Sequence, residues 1–199
     1  MTTQVQNDST VNAILAAWRT KPENQRPELL LFGESLGAFG SQAAWPEGST
    51  PKDVTAEIKR IIWIGPPSQS RIWKQWQADR SAGPMWQPVI GDGLIARPYI
   101  SAGELERAVP SDGPVITFSA HPNDPVVYWS PDLLLQKPDW LDQPLGPGVD
   151  PRMKWFPVIT YLQVGMDLIS GGAPPEVGHN YAADAGPAIA LTVNPPGWT

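Results

Sequence analysis

Three short, largely apolar runs constrain the fold of this chain more than any other feature of its sequence. They span residues 28–32, 61–64 and 115–119. Runs of this length without polar alternation are typical of strands that are buried on both faces of a parallel sheet. Segments with helical periodicity lie before, between and after the runs, so the pattern predicts an α/β sandwich with a mostly parallel sheet.

The segments around these strands complete the predicted organisation. We expect helices over residues 10–20, 55–60, 68–80 and 155–169, a further helix from Asp184, and turns at 91–93 and 171–172. A chain of 199 residues suits one domain. We therefore predict a flexible N-terminus over residues 1–9 and a single domain over residues 10–199.

Charge and cysteine content exclude several classes of function. The formal net charge is −6 and the basic residues are scattered, which argues against a nucleic-acid partner. The chain has no cysteine, which excludes disulfides and thiolate sites, and neither a cofactor nor a metal is expected. No segment approaches the ~20 apolar residues of a membrane span, and residues 1–9 lack a signal-peptide core. These features predict that the chain as given is soluble and cytoplasmic.

The segment Gly33-Glu34-Ser35-Leu36-Gly37 carries the clearest chemical motif. It follows a predicted strand and precedes small residues that suit a packed helix, which is the setting of a nucleophile elbow. The strained turn requires small neighbours on either side of the serine. Ser35 is therefore the predicted nucleophile of a serine hydrolase, with the Leu36 N–H as an oxyanion donor. The alternative is an ordinary glycine-rich turn with a solvent-facing serine.

A serine nucleophile needs a histidine base and a carboxylate that orients it. The chain has two histidines, His121 and His179. Folds with such an elbow place their triad in the order serine, acid, histidine. Asp124 follows the third predicted strand and His179 lies near the C-terminus, so we predict the triad Ser35, Asp124 and His179. His121 is the rival base, but it precedes Asp124 by only three residues, and Asp124 could alternatively serve as a turn-former.

Two further residues are candidates for binding a small-molecule acyl substrate. Glu34 precedes the nucleophile, and Trp129 follows Asp124 closely. Both have structural alternatives, since Glu34 can pack outward and tryptophans often fill cores and loops. The chain has 10 tryptophans, and such apolar surroundings favour a hydrophobic acyl substrate.

Taken together, these motifs resemble a known bacterial family. The matching segments are residues 26–40, 63–67, 124–134, 153–158 and 178–181, and the resemblance covers roughly residues 10–190. The chain is similar to the C-terminal catalytic region of the actinobacterial α/β-hydrolases that often carry an N-terminal multi-spanning membrane domain. The resemblance implies a serine esterase or lipase that acts through Ser35, Asp124 and His179.

The chain departs from this family at its N-terminal side. In an α/β-hydrolase several strands precede the elbow strand, and an early loop supplies the second oxyanion donor. About 34 residues cannot hold those strands, because one βαβ unit takes roughly 30 residues or more. We therefore expect a shortened domain with an exposed sheet edge, covered by self-association or by a partner chain. The alternatives to hydrolysis are acyl transfer, half of a split hydrolase, and a non-catalytic interaction module.

Overall fold

A parallel four-stranded sheet lies at the centre of the chain. The computed structural model describes residues 10–91, 96–99, 115–169 and 177–193. The strands are β1 (Leu30–Glu34), β2 (Arg60–Ile64), β3 (Ala96–Tyr99) and β4 (Val115–Ser119). They pair in the order β1-β2-β4-β3, and every pairing is parallel. The predicted α/β architecture with a mostly parallel sheet is confirmed.

Helices connect the strands and pack on both faces of the sheet. They are α1 (Thr10–Arg19), α2 (Leu36–Gln42), α3 (Pro51–Val54), α4 (Arg71–Ala78), α5 (Pro125–Tyr128), α6 (Ile159–Ile169) and α7 (Ala185–Val193). Single 3-10 turns span Glu23–Gln25, Pro131–Leu134 and Asp139–Asp142. In the part of the chain that the structure describes, no helix has both the length and the hydropathy to cross a membrane.

One face of the sheet holds an aromatic core. The Trp73 and Phe118 ring centroids are 4.5 Å apart, and those of Trp63 and Phe118 are 5.1 Å apart. The indole N–H of Trp63 donates to Ser41 Oγ at 2.8 Å, so its one polar atom is satisfied inside the core. This packing fixes α2 and α4 against β2 and β4.

The opposite face is covered over β2 and left uncovered over β1. Ile62 and Ile64 pack against Tyr181 and Ala188, which belong to the C-terminal segment. Neighbouring β1 residues on this face remain in contact with solvent, with Leu30 43% and Phe32 38% exposed. The expectation that the first run is buried on both faces is therefore wrong. Within the described residues β1 is an edge strand, and residues 10–29 contain no strand that could pair with it.

Two predicted helices begin at other residues than expected, and one observed strand was not predicted. The helix expected over 55–60 lies earlier, because Thr50 accepts from the Asp53 N–H in a capping box and starts α3 at Pro51. The helix expected from residue 155 begins at Ile159, because Pro157 and the positive φ of 63° at Val158 interrupt the backbone before it. The strand β3 was not predicted, since its Pro98 argues against a strand from sequence.

Some expectations concern residues outside the described ranges. These are the flexible N-terminus over 1–9, most of the turn at 91–93 and the helix end at 171–172. The helix predicted from Asp184 is observed as α7, and the helix predicted over 68–80 is observed as α4 with Ser70 as its N-cap residue.

Candidate active site

The chain reverses sharply between β1 and α2, and Ser35 occupies the reversal. Its φ of 52° and ψ of −117° lie in a region that L residues with a side chain avoid. The Ser35 N–H donates to the Ile64 carbonyl at 2.8 Å, which ties the turn to the end of β2. Strain of this kind is concentrated at functional sites, where the surrounding structure maintains it.

Of the two glycines that flank the elbow, only Gly33 occupies a position where a side chain would clash. A Cβ at Gly33 would lie 2.8 Å from the Ala38 nitrogen and from the Gly37 carbonyl, all of them backbone atoms. A Cβ at Gly37 would have no atom within 4 Å. The strand-side glycine is therefore needed for α2 to fold back onto β1, whereas the helix-side position faces open space.

Leu36 is the first residue of α2. Backbone N–H groups in the first turn of a helix have no intrahelical acceptor. The first N–H that closes the turn is that of Phe39, which donates to the Ser35 carbonyl at 3.0 Å. The Leu36 N–H therefore lies beside Ser35 without an acceptor in the first turn of α2.

Asp124 is fully buried at the carboxyl end of β4. Its Oδ1 accepts from the Val126 N–H at 2.8 Å and caps α5. Its Oδ2 lies 2.7 Å from His179 Nδ1 and accepts from Tyr181 Oη at 2.6 Å. Asp124 is thus a turn-former and also the carboxylate partner of His179.

His179 lies over the end of β2, beside the strand end that carries Ser35. A Cβ at Gly65, whose φ is 52°, would lie 2.8 Å from His179 Cε1. The Ser35 N–H donates to the carbonyl of Ile64, the residue before Gly65. Ser35 at the end of β1 and His179 at the end of β2 therefore lie at neighbouring strand ends. Among the described residues no hydrogen bond joins Ser35 to His179. Because Asp124 holds Nδ1, Nε2 is the ring nitrogen of His179 that is left for a further partner.

Tyr181 completes the surroundings of the Asp124 carboxylate, a role that sequence reasoning missed. Its hydroxyl donates to Asp124 Oδ2 and accepts from the His121 N–H at 3.0 Å. Burial, followed by the charge of Asp124, raises its pKa well above 10.0, so the hydroxyl stays a donor. The only sequence signal is its position two residues after His179.

His121, the rival base, is buried, and both of its ring nitrogens have partners. Its Nδ1 lies 2.8 Å from the Gly178 carbonyl oxygen, and its Nε2 lies 2.9 Å from Asp184 Oδ2. Burial alone would lower its pKa, but the bonds to Asp184 and Gly178 and the charges of Asp184 and Asp124 raise it above 6.5. Neither nitrogen is left to accept a proton from Ser35.

A cavity of about 860 Å³ opens beside His179. Glu34 lines it, because β1 turns this side chain to the same face as Ile64 and Tyr181. Trp129 does not line it and packs against α6, with its ring centroid 5.3 Å from that of Tyr161. No group of three His, Asp or Glu side chains in the described ranges is placed to hold a metal ion.

Comparison with known proteins identifies the family. A family model described as "Alpha/beta-hydrolase family" matches residues 2–199. The chain therefore belongs to this family. Neither the curated proteins nor the solved structures gave a match.

Proposed function

From its membership of the α/β-hydrolase family, we propose that this chain is a serine hydrolase that cleaves an ester or related acyl bond. The observation that carries the proposal is the 2.7 Å hydrogen bond between buried Asp124 and part-buried His179, at strand ends next to a serine in a strained strand-to-helix turn. A nucleophile, a base and an orienting carboxylate are the three groups that acyl transfer to serine requires.

The proposed reaction proceeds through an acyl-enzyme. Ser35 Oγ attacks the acyl carbonyl while His179 Nε2 takes its proton, and Asp124 holds the Nδ1–H and stabilises the imidazolium. The Leu36 N–H donates to the developing oxyanion. His179 then protonates the leaving alcohol. A water molecule, deprotonated by His179, releases the acid and restores Ser35.

A hydrophobic acyl group fits the surface next to this site. A groove of about 890 Å³ runs along α6 and contains none of the three proposed catalytic residues. Asp167 lines both this groove and the cavity beside His179. The groove presents exposed apolar side chains at Phe156, Ile159, Leu162 and Met166. An acyl chain that leaves the cavity along α6 would cover this apolar surface.

A serine-directed fluorophosphonate tests the nucleophile. We expect it to label the wild type, and labelling to disappear in Ser35→Ala and in His179→Ala. The matched control is Ser81→Ala, which removes an exposed serine hydroxyl outside the site. Labelling that survives in folded Ser35→Ala would contradict the proposal.

A series of p-nitrophenyl esters of increasing acyl length tests the substrate class. Leu162, 55% exposed in the groove, gives the variant Leu162→Ser, and Leu135, 72% exposed outside it, gives the control Leu135→Ser. We expect kcat/KM for the long-chain ester to fall about tenfold in Leu162→Ser only, because about 1.4 kcal/mol of apolar contact is lost. Equal loss for short and long esters would place the acyl chain elsewhere.

A second candidate is an interaction module that does not catalyse. The uncovered apolar side chains of Leu30 and Phe32 favour it, since exposed apolar edge strands usually pair or are covered. The two candidates differ in the labelling experiment, because a module without an activated serine would fold normally and fail to react.

A further inference from the structure

A second histidine–carboxylate pair lies behind the proposed catalytic one. It joins His121, which follows β4, to Asp184, which immediately precedes α7. Their side chains are 3% and 4% exposed, so water does not satisfy either group. The proposed reaction uses neither residue, although the pair is buried at some cost in desolvation.

The hydrogen-bond partners of His121 define its protonation. The Gly178 carbonyl oxygen at Nδ1 can only accept, so this nitrogen carries a proton. An ionised Asp184 carboxylate also only accepts, and opposite it Nε2 carries a proton as well. An imidazolium facing a carboxylate satisfies both contacts, and the raised pKa of His121 agrees with this assignment.

These contacts fix the segment that carries His179. His121 Nδ1 binds the carbonyl oxygen of Gly178, which belongs to the peptide group that joins Gly178 to His179. The Gly178 N–H donates to Asn123 Oδ1 at 3.1 Å. The His121 ring also stacks on Tyr181 at 4.2 Å and 20°. His121 therefore restrains the chain on both sides of His179, from elements anchored in the sheet and in α7.

We propose that His121 and Asp184 form a buried imidazolium–carboxylate pair, and that the bond from His121 Nδ1 to the Gly178 carbonyl positions His179 against Asp124. The inference rests on the proposed hydrolase function for its catalytic consequence. Neither residue touches the reacting atoms, so both are positioning residues. Their effect is transmitted through the Gly178–His179 peptide.

Two variants separate positioning from general stability. The double variant His121→Phe/Asp184→Leu, termed the apolar-pair variant, keeps the ring against Tyr181 and removes the bond to Gly178. Replacing both partners by apolar groups avoids an unpaired buried charge, a change that is often neutral for stability. Asp184→Asn is the matched control, because a neutral His121 can still donate from Nδ1 to Gly178 and accept at Nε2 from the amide.

Nitrogen-15 NMR of the histidine rings measures the protonation of His121 and the proton exchange of His179 without relying on catalysis. In the wild type at pH 6.5 we expect both His121 nitrogens to be protonated, and a neutral ring would overturn the proposal. We expect the His179 Nδ1 proton to exchange with water about 10- to 100-fold faster in the apolar-pair variant and at the wild-type rate in Asp184→Asn. Unchanged exchange in a folded apolar-pair variant, or fast exchange in Asp184→Asn, would overturn the positioning role.

Fluorophosphonate labelling supplies the catalytic readout. We expect the apolar-pair variant to label about 10- to 100-fold more slowly and Asp184→Asn to remain close to the wild type. A wild type that never labels would refute the proposed hydrolase, while the ring protonation and proton exchange would still decide the role of the pair. If the apolar-pair variant does not fold, His121→Phe/Asp184→Asn takes its place, because it removes the bond to Gly178 without leaving a buried charge. Exchange of the His179 Nδ1 proton no faster than in Asp184→Asn would then overturn the positioning role.

Discussion

Replacing Asp124 by asparagine tests the proposed triad most directly, because the change keeps the shape of the side chain and removes its charge. Oδ1 of the amide can still accept the Val126 N–H and cap α5. The NH2 group then stands where Oδ2 now accepts hydrogen bonds from His179 Nδ1 and Tyr181 Oη. An NH2 group donates, so His179 must present an unprotonated Nδ1 and carry its proton on Nε2. That tautomer cannot accept a proton from Ser35.

The expected loss in rate is large compared with the loss in stability. The same substitution in a serine protease triad costs about 10⁴-fold in kcat, or about 5.4 kcal/mol of transition-state stabilisation. Tyr181 Oη loses its acceptor inside the protein, which costs roughly 1–3 kcal/mol of folding free energy. For a chain of this size that is a fall in Tm of roughly 2–12 °C.

The assay compares phosphonate labelling rates and ester kcat of Asp124→Asn with those of the wild type below the variant's Tm. The control is Asp132→Asn, which removes an exposed carboxylate from the 3-10 turn that starts at Pro131. We expect the control to match the wild type in both measurements. A folded Asp124→Asn protein within tenfold of the wild-type rate would refute the assignment of Asp124 as the residue that orients His179.

Three further predictions follow from the described geometry. Gly33→Ala places a methyl group 2.8 Å from backbone atoms, so it should cost about 1–3 kcal/mol in urea unfolding, whereas Gly37→Ala, with open space around it, should cost nothing. The raised pKa of His121 means that the folded state binds more protons, so its stabilising contribution should be complete below pH 6.5 and decline as pH rises through the folded pKa. Urea unfolding across this pH range should show the decline in the wild type and not in the apolar-pair variant. We propose that a second copy of the chain covers the exposed face of β1, so sedimentation should give a mass above the 21.7 kDa of one chain. The mass should fall in Phe32→Lys and persist in the control Leu135→Lys. A wild type that is monomeric at all concentrations would contradict the proposal.

The sequence predicts the centre of the sheet well and its edges poorly. The runs that became β2 and β4 are apolar because helices cover both faces of the sheet there, so their composition reports their position directly. The run that became β1 has the same composition although one of its faces is open. Composition reports what a strand can bury, and the neighbours that bury it are set by the topology. The strand β3 shows the converse case, since Pro98 fits only an edge and its segment carries no apolar run.

The two histidines reach the surroundings of Asp124 by different paths, and chain order predicts which of them contacts its carboxylate. His121 lies only three residues before Asp124, and a residue directly after a strand is held at that strand's end. There the His121 ring stacks on Tyr181, and Gly178 and Asp184 bind its two ring nitrogens. A histidine on a long connection from another element is not held at that strand end. His179 lies on such a connection, passes close to Gly65 and contacts Asp124. The order serine, acid, histidine of the proposed triad matches this geometry, in which the histidine comes from outside the strand that supplies the carboxylate.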